Sequence, residues 1–118
     1  MPGTSYGWVY GLTSDAQGNF IVVGKFRGTI NFGAQTLTSS TTADNGYVAK
    51  YTGTGAAVWA KMMSSPAGTT EGNSLNSVAA DAQGNVIVAG GFSASTTFNG
   101  QTLTGAGSSD VLVGKLSP

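Results

Sequence analysis

Asp15-Ala-Gln-Gly-Asn-Phe-Ile-Val-Val-Gly24 returns 66 positions later as Asp81-Ala-Gln-Gly-Asn-Val-Ile-Val-Ala-Gly90, and a repeat of this length is a folding unit rather than a short motif. The register continues through Phe26/Phe92, Phe32/Phe98, Gln35-Thr-Leu-Thr38/Gln101-Thr-Leu-Thr104 and Asp44/Asp110. It then slips by one residue, so that Val48-Ala-Lys50 meets Val113-Gly-Lys115. The chain reads as one segment over residues 1–118, with a first unit at about 7–64 and a second at about 73–118. Ser64-Ser-Pro-Ala-Gly-Thr-Thr-Glu-Gly-Asn73 joins them, its Pro and Gly marking a loop. A residue kept in both copies has an architectural explanation before a chemical one.

Within a unit the period is two. Val9-Tyr-Gly-Leu-Thr13 and Leu75-Asn-Ser-Val-Ala79 alternate small or polar residues with larger apolar ones, as a strand with two unlike faces does. Asp15-Ala-Gln-Gly-Asn19 and Asp81-Ala-Gln-Gly-Asn85 follow. Each supplies an Asp to cap its own turn and a Gly, Gly18 or Gly84, for positive φ, which sends the next strand back antiparallel. That strand is Phe20-Ile-Val-Val or Val86-Ile-Val-Ala, bounded by Gly24 and Gly90, and its unbroken β-branched run suits cover on both faces.

A small hairpin comes next, closed by Gly33-Ala34 in type II′ form and by Asn99-Gly100 in type I′ form, with Phe32/Leu37 and Phe98/Leu103 as anchors. The loops Ser39 to Ala43 and Gly105 to Ser109 lead to a third strand, Tyr47–Tyr51 or Val111–Lys115. Only the first unit continues, into Ala57-Val-Trp-Ala-Lys-Met62 with Trp59 inward. No stretch shows a 3.6-residue apolar period and helix formers are scarce, so the chain is predicted to be all-β.

Composition limits the function classes. The 118 residues carry five basic and five acidic side chains, a net charge of zero and no basic cluster, which disfavours nucleic acid and anionic membrane surfaces as partners. No apolar run approaches the roughly 18 residues of a spanning helix, and Met1-Pro-Gly-Thr-Ser5 lacks the regions of a signal peptide. Cysteine and histidine are missing, so there is neither thiolate chemistry nor the usual base for a nucleophilic serine, and no Gly-x-Ser-x-Gly elbow occurs. Gly-rich stretches such as Gly105-Ala-Gly107 lack the Lys and helix of a phosphate loop. No enzyme activity, cofactor or metal is expected.

The residues Asp15, Gly18, Asn19, Gly24, Phe26, Phe32, Gly33, Thr36, Leu37, Thr38, Asp44, Tyr47, Val48, Lys50, Gly55, Trp59 and Ala60 together resemble the β-propeller repeat of bacterial secreted and cell-surface proteins called the SBBP repeat. Its pattern is Asp-x-x-Gly-Asn, an apolar strand ending in Gly-x-Phe, Phe-Gly-x-x-Thr-Leu-Thr, Asp-x-(Phe/Tyr)-Val-x-Lys, then Gly and Trp-Ala. The second unit departs at Asn99, near Asp110 and in lacking the Trp strand. The resemblance implies antiparallel four-stranded propeller blades, the second without its last strand, and a secreted or surface-exposed parent protein; no common activity comes with it. Propellers close with typically 4–8 blades, and stacked units leave apolar faces open until neighbours cover them. Two units do not close a ring. Two, three or four chains would give four, six or eight blades by heterologous contacts, and three is favoured; the competing reading is a piece of a longer propeller.

Every candidate side chain has a structural and a chemical reading. Asp15 and Asp81 offer one carboxylate each where calcium takes six to eight oxygens, so turn capping is expected. Asp44 and Asp110, each followed by Lys50 or Lys115, are read as ion pairs or backbone acceptors locking a blade rather than as proton-transfer pairs. Lys25 and Arg27 are not repeated and mark an exposed edge or a subunit contact. The expected function is a non-enzymatic structural module that assembles with itself. The alternatives are a carbohydrate-binding propeller, with Trp8, Tyr10 and Asn76 as candidate contacts for a glycan, or an adhesion-type piece of a surface protein.

Overall fold

Eleven strands and no helix make up the described part of the chain. The structure, a computed structural model, describes residues 5–33, 35–39, 43–65, 72–105 and 109–118. Ala34 of the first hairpin turn, Glu71 and most of the connector, and Gly107 lie outside them.

The first unit contains β1 (Tyr6–Ser14), β2 (Phe20–Arg27), β3 (Thr29–Phe32), β4 (Gln35–Thr38), β5 (Asn45–Tyr51) and β6 (Ala57–Met62). The second contains β7 (Ser74–Ala80), β8 (Val86–Phe92), β9 (Ser95–Phe98), β10 (Gln101–Thr104) and β11 (Asp110–Leu116). The strands form a four-stranded antiparallel sheet in the order β1-β2-β5-β6, a three-stranded one in the order β11-β8-β7, and a two-stranded hairpin, β3–β4 or β9–β10, attached to each. Among the described residues the second sheet has no counterpart of β6. Both hairpins have two-residue loops, Phe32↔Gln35 and Phe98↔Gln101 being the closing pairs. Asn99 and Gly100 both have positive φ, 51° and 82°, the type I′ geometry expected of Asn-Gly.

The second strand of each unit is longer than its apolar run. β2 continues through Gly24 to Arg27 and β8 through Gly90 to Phe92. These glycines do not end the strand. They admit the β-bulges of the neighbouring strand, between Val9 and Gly11 and between Leu75 and Ser77. A Cβ on Gly24 would lie 1.8 Å from the Trp8 carbonyl oxygen, and one on Gly90 would lie 2.0 Å from that of Ser74.

The two sheets pack face to face, and they do so by unlike faces. The first contributes Ile21, Val23 and Val48, with Met63 just beyond β6, and the second Leu75, Val86, Val88, Phe92, Phe98, Leu112 and Leu116. Ladder positions show the asymmetry: Gly24 pairs Tyr47 where Gly90 pairs Leu112, and Phe20 pairs Tyr51 where Val86 pairs Leu116. The face that sheet two buries thus corresponds to the opposite, outer face of sheet one. There the β3–β4 hairpin covers Phe26, Phe32, Tyr47 and Ala49 in a second core. Of the six side chains that an open stack of two units is expected to leave only partly covered, Phe20, Val22 and Ile87 are so, whereas Ile21, Val86 and Val88 are fully buried because each unit shields the other; such buried side chains contribute roughly 1.5–3 kcal/mol each. The bridge Ser64↔Thr97 adds a hydrogen-bonded tie from the connector to the second hairpin.

Candidate functional site: the repeated turns and the seam

The Asp15 side chain reinforces a turn that the backbone bonds Asp15 N–H to Asn19 O and Gly18 N–H to Asp15 O also close. The backbone N–H groups of Gln17 and Asn19 donate to Asp15 Oδ1 at 3.0 and 2.9 Å, and Asn19 Nδ2 donates to Oδ2 at 2.9 Å. Asp81 receives the same three bonds from Gln83, Asn85 and the Asn85 amide, at 3.0, 2.8 and 2.9 Å. Gly18 and Gly84 have φ of 83° and 82°. The amide bond from Asn19 or Asn85 is the main influence holding each carboxyl below its ordinary value, and it outweighs the opposing effect of burial. Two backbone N–H groups and one amide side chain of the turn thus hold each carboxylate in place.

The lysines do not pair as the sequence spacing predicts. Lys50 Nζ lies 3.6 Å from Asp15 Oδ2, and Lys115 Nζ lies 3.3 Å from Asp81 Oδ2; neither reaches Asp44 or Asp110. The third strand runs back beside the second, bringing its distal Lys to the turn that begins it. Asp110 stands opposite Phe92 in the ladder, as Asn45 stands opposite Phe26, so its structural counterpart is Asn45 and not Asp44. The one-residue slip therefore falls before the third strand rather than within it.

Asp44 is instead the centre of a cluster that the repeat does not carry. Lys25 Nζ lies 3.0 Å from Asp44 Oδ2 and Arg27 Nε 3.0 Å from Oδ1, while the Tyr6 hydroxyl donates to Oδ1 at 3.4 Å. Both cations also lie over rings of β1, Lys25 at 4.7 Å from Trp8 and 5.9 Å from Tyr10, Arg27 at 5.2 Å from Tyr6. The bond to Asp44, then the one to Tyr10, raises the Lys25 pKa. Alternation along β1 and β2 carries this arrangement, because Tyr6 pairs Arg27 and Trp8 pairs Lys25 across the ladder. Period two places Lys25 and Arg27 on one side in the sequence; what it does not reveal is Asp44 as their common partner.

Beside this cluster the seam between the sheets opens as a polar cleft of about 360 Å³, lined among others by Tyr10, Lys25, Asp44, Asn73, Asn76 and Phe92. Of the three candidate ligand contacts, Tyr10 and Asn76 both line it, whereas Trp8 does not and stands beside it under Lys25. Asn73 was not singled out from the sequence. It is buried, receives the Gly46 N–H at 2.6 Å and donates to Ser65 at 2.9 Å, fixing the floor. Among the described residues no three acidic side chains stand close enough to hold a metal ion together. Comparison of the chain with protein-family models returns no match, and neither does comparison with curated proteins.

Proposed function

We propose that the chain is a non-enzymatic structural module, a two-unit propeller segment that assembles with copies of itself into a closed ring. The observation that carries this reading is the exposure of apolar side chains on both outer faces, Val9, Leu12 and Phe20 on one sheet and Val111 and Val113 on the other. Patches of this kind on a small protein mark contact surfaces. Stacking by unlike faces supports a ring, because it leaves unlike faces at the two ends and such contacts close by rotation. Three chains give six blades. Light scattering coupled to size exclusion tests the proposal: three chain masses, or two or four, are expected, and a monodisperse monomer at micromolar concentration would overturn it.

A second reading, glycan binding, is favoured by the seam cleft alone. It combines a tyrosine ring, two asparagine amides and a lysine–carboxylate pair, the mixture of apolar surface and planar hydrogen-bonding groups that suits a sugar hydroxyl array. A glycan array with the assembled protein, repeated with Tyr10→Ala, tests it; binding lost in the variant supports the cleft, and no binding by the parent removes the reading.

A further inference from the structure

We infer that copies of this chain associate head to tail, the outer face of the second sheet docking on the outer face of the first sheet of the next copy, in the register of the internal junction. This rests on the self-assembly reading and specifies its surface. Ladder positions relate the two sheets residue by residue. Leu12 pairs Val22 as Val78 pairs Val88, and Val9 pairs Gly24 as Leu75 pairs Gly90. Val48 lies beside Val23 as Val113 lies beside Ala89.

Burial across these equivalences is reversed in a consistent direction. Leu75 is 0 % exposed and its counterpart Val9 63 %; Val86 is 0 % and its counterpart Phe20 43 %. On the opposite faces Val48 is 0 % and its counterpart Val113 69 %. The Lys50 side chain is 7 % exposed beside Asp15, whereas Lys115, making the same pair with Asp81, is 63 % exposed. Each open position is thus the copy of a position that the internal junction covers. The two open faces are the two halves of that junction, carried at opposite ends of one molecule. A face that met its own kind would place Val113 against Val113, an arrangement for which the fold holds no template; the unlike contact is already built once within every chain.

One position departs from the copy, and its surroundings account for it. Val111 occupies the place of Gly46, where an added Cβ would approach the Met63 sulfur at 2.7 Å and the Leu75 nitrogen at 2.9 Å. The second unit has no counterpart of Met63, so Val111 brings apolar atoms into space that the sulfur fills internally. The remaining approach to the backbone separates the sheets slightly at that corner.

Two variants test the inference, Val113→Asp on one face and Leu12→Asp on the other, both at exposed positions. Each alone is expected to be a folded monomer, an unpaired carboxylate in an apolar junction weakening association on the order of 100-fold or more. Mixed in equal amounts they retain one intact junction between them and form a 1:1 dimer that grows no further, read by native mass spectrometry with one variant tagged. Should either aspartate unfold the chain by circular dichroism, Val113→Ser and Leu12→Ser replace the pair. A like-faced dimer would persist in one variant alone, and an oligomer using another surface would persist in both; either result overturns the inference while leaving self-assembly standing. A monomeric parent protein overturns self-assembly itself.

Discussion

Asp15 and Asp81 show how far a single residue type determines local structure here. All three bonds to each carboxylate come from within four residues, so the turn is written where it folds and was readable in Asp-x-x-Gly-Asn without any knowledge of the sheet. At Gly18 nothing lies within 4 Å of an added Cβ, so Gly18→Val is expected to cost more than about 1 kcal/mol through backbone conformation alone, checked by urea denaturation. Ala94 tests the converse. Its φ is 61°, and the equivalent Gly28 has φ of 80° in the same link between second strand and hairpin. Ala94→Gly should therefore stabilise, by about 0.5–1 kcal/mol, as a rise in the same denaturation midpoint. The carboxyls also set the acid limit. Their folded pKa values lie below the ordinary 3.8, so their contribution is complete above that pH and is lost as pH falls below it toward the folded values. Asp81→Asn keeps an acceptor for the Gln83 and Asn85 N–H groups but turns an amide NH2 toward Asn85 Nδ2 and leaves Lys115 without its partner; it should lower stability at neutral pH and flatten the loss of stability as pH falls below 3.8. Lys50 and Lys115 were not legible in the same way, because their partners lie in the turns that precede the neighbouring strands and sequence spacing pointed to the nearer Asp44 and Asp110.

At the scale of elements, strand identity was legible and strand length was not. Period two and the Asp turns placed every strand of both sheets, and Ala57–Met62 coincides with β6. The misjudged ends of β2 and β8 share one cause. Gly24 and Gly90 look like breakers in the sequence, yet each lies inside a strand because the neighbouring backbone bulges over it, a tertiary contact with no local signature. The geometry makes Gly24→Ala severe. Its Cβ would fall 1.8 Å from a carbonyl oxygen, whereas one on Gly91 meets nothing closer than 3.5 Å. The first substitution is expected to cost several kcal/mol or prevent folding and Gly91→Ala to change stability by less than about 1 kcal/mol, both read from thermal melts. Tyr47 supplies the alkaline counterpart of the acid limit. Burial, assisted by nearby Tyr51, pushes its hydroxyl up to about 12, and that hydroxyl donates to Trp8 O at 3.0 Å beside the same bulge. A raised value means stability that is intact below the ordinary value of 10.0 and lost as pH rises through the folded one. The seam cleft belongs to this scale too: Tyr10 and Asn76 were identifiable as residue types, but Tyr10 meets Lys25 and Asp44 across the strands of the first unit, and Asn73 and Asn76 join them in one cleft only when the two units stack.

Over the whole molecule, the junction between the sheets turns two weak units into one cooperative body. Sheet one with its hairpin has a core of its own around Phe26 and Tyr47, but the second sheet has none apart from the junction, since its buried side chains belong to the same cluster as Ile21, Val23 and Val48. Removing apolar volume there should therefore destabilise the entire chain rather than release one unit. Leu75→Ala, at a fully buried position, is expected to cost about 2–5 kcal/mol and to lower the midpoint of a single transition on the order of 10 °C or more. Its counterpart Val9→Ala touches the open face, and at dilution below association it should leave that midpoint nearly unchanged. Calorimetry decides the matter. Equal calorimetric and van't Hoff enthalpies in parent and Leu75→Ala indicate one body, whereas a variant that melts in two steps would show that the first sheet stands without the second. In that event the exposed faces would no longer be the ends of a rigid wedge, and the internal junction would be too loose a template for the contact between copies.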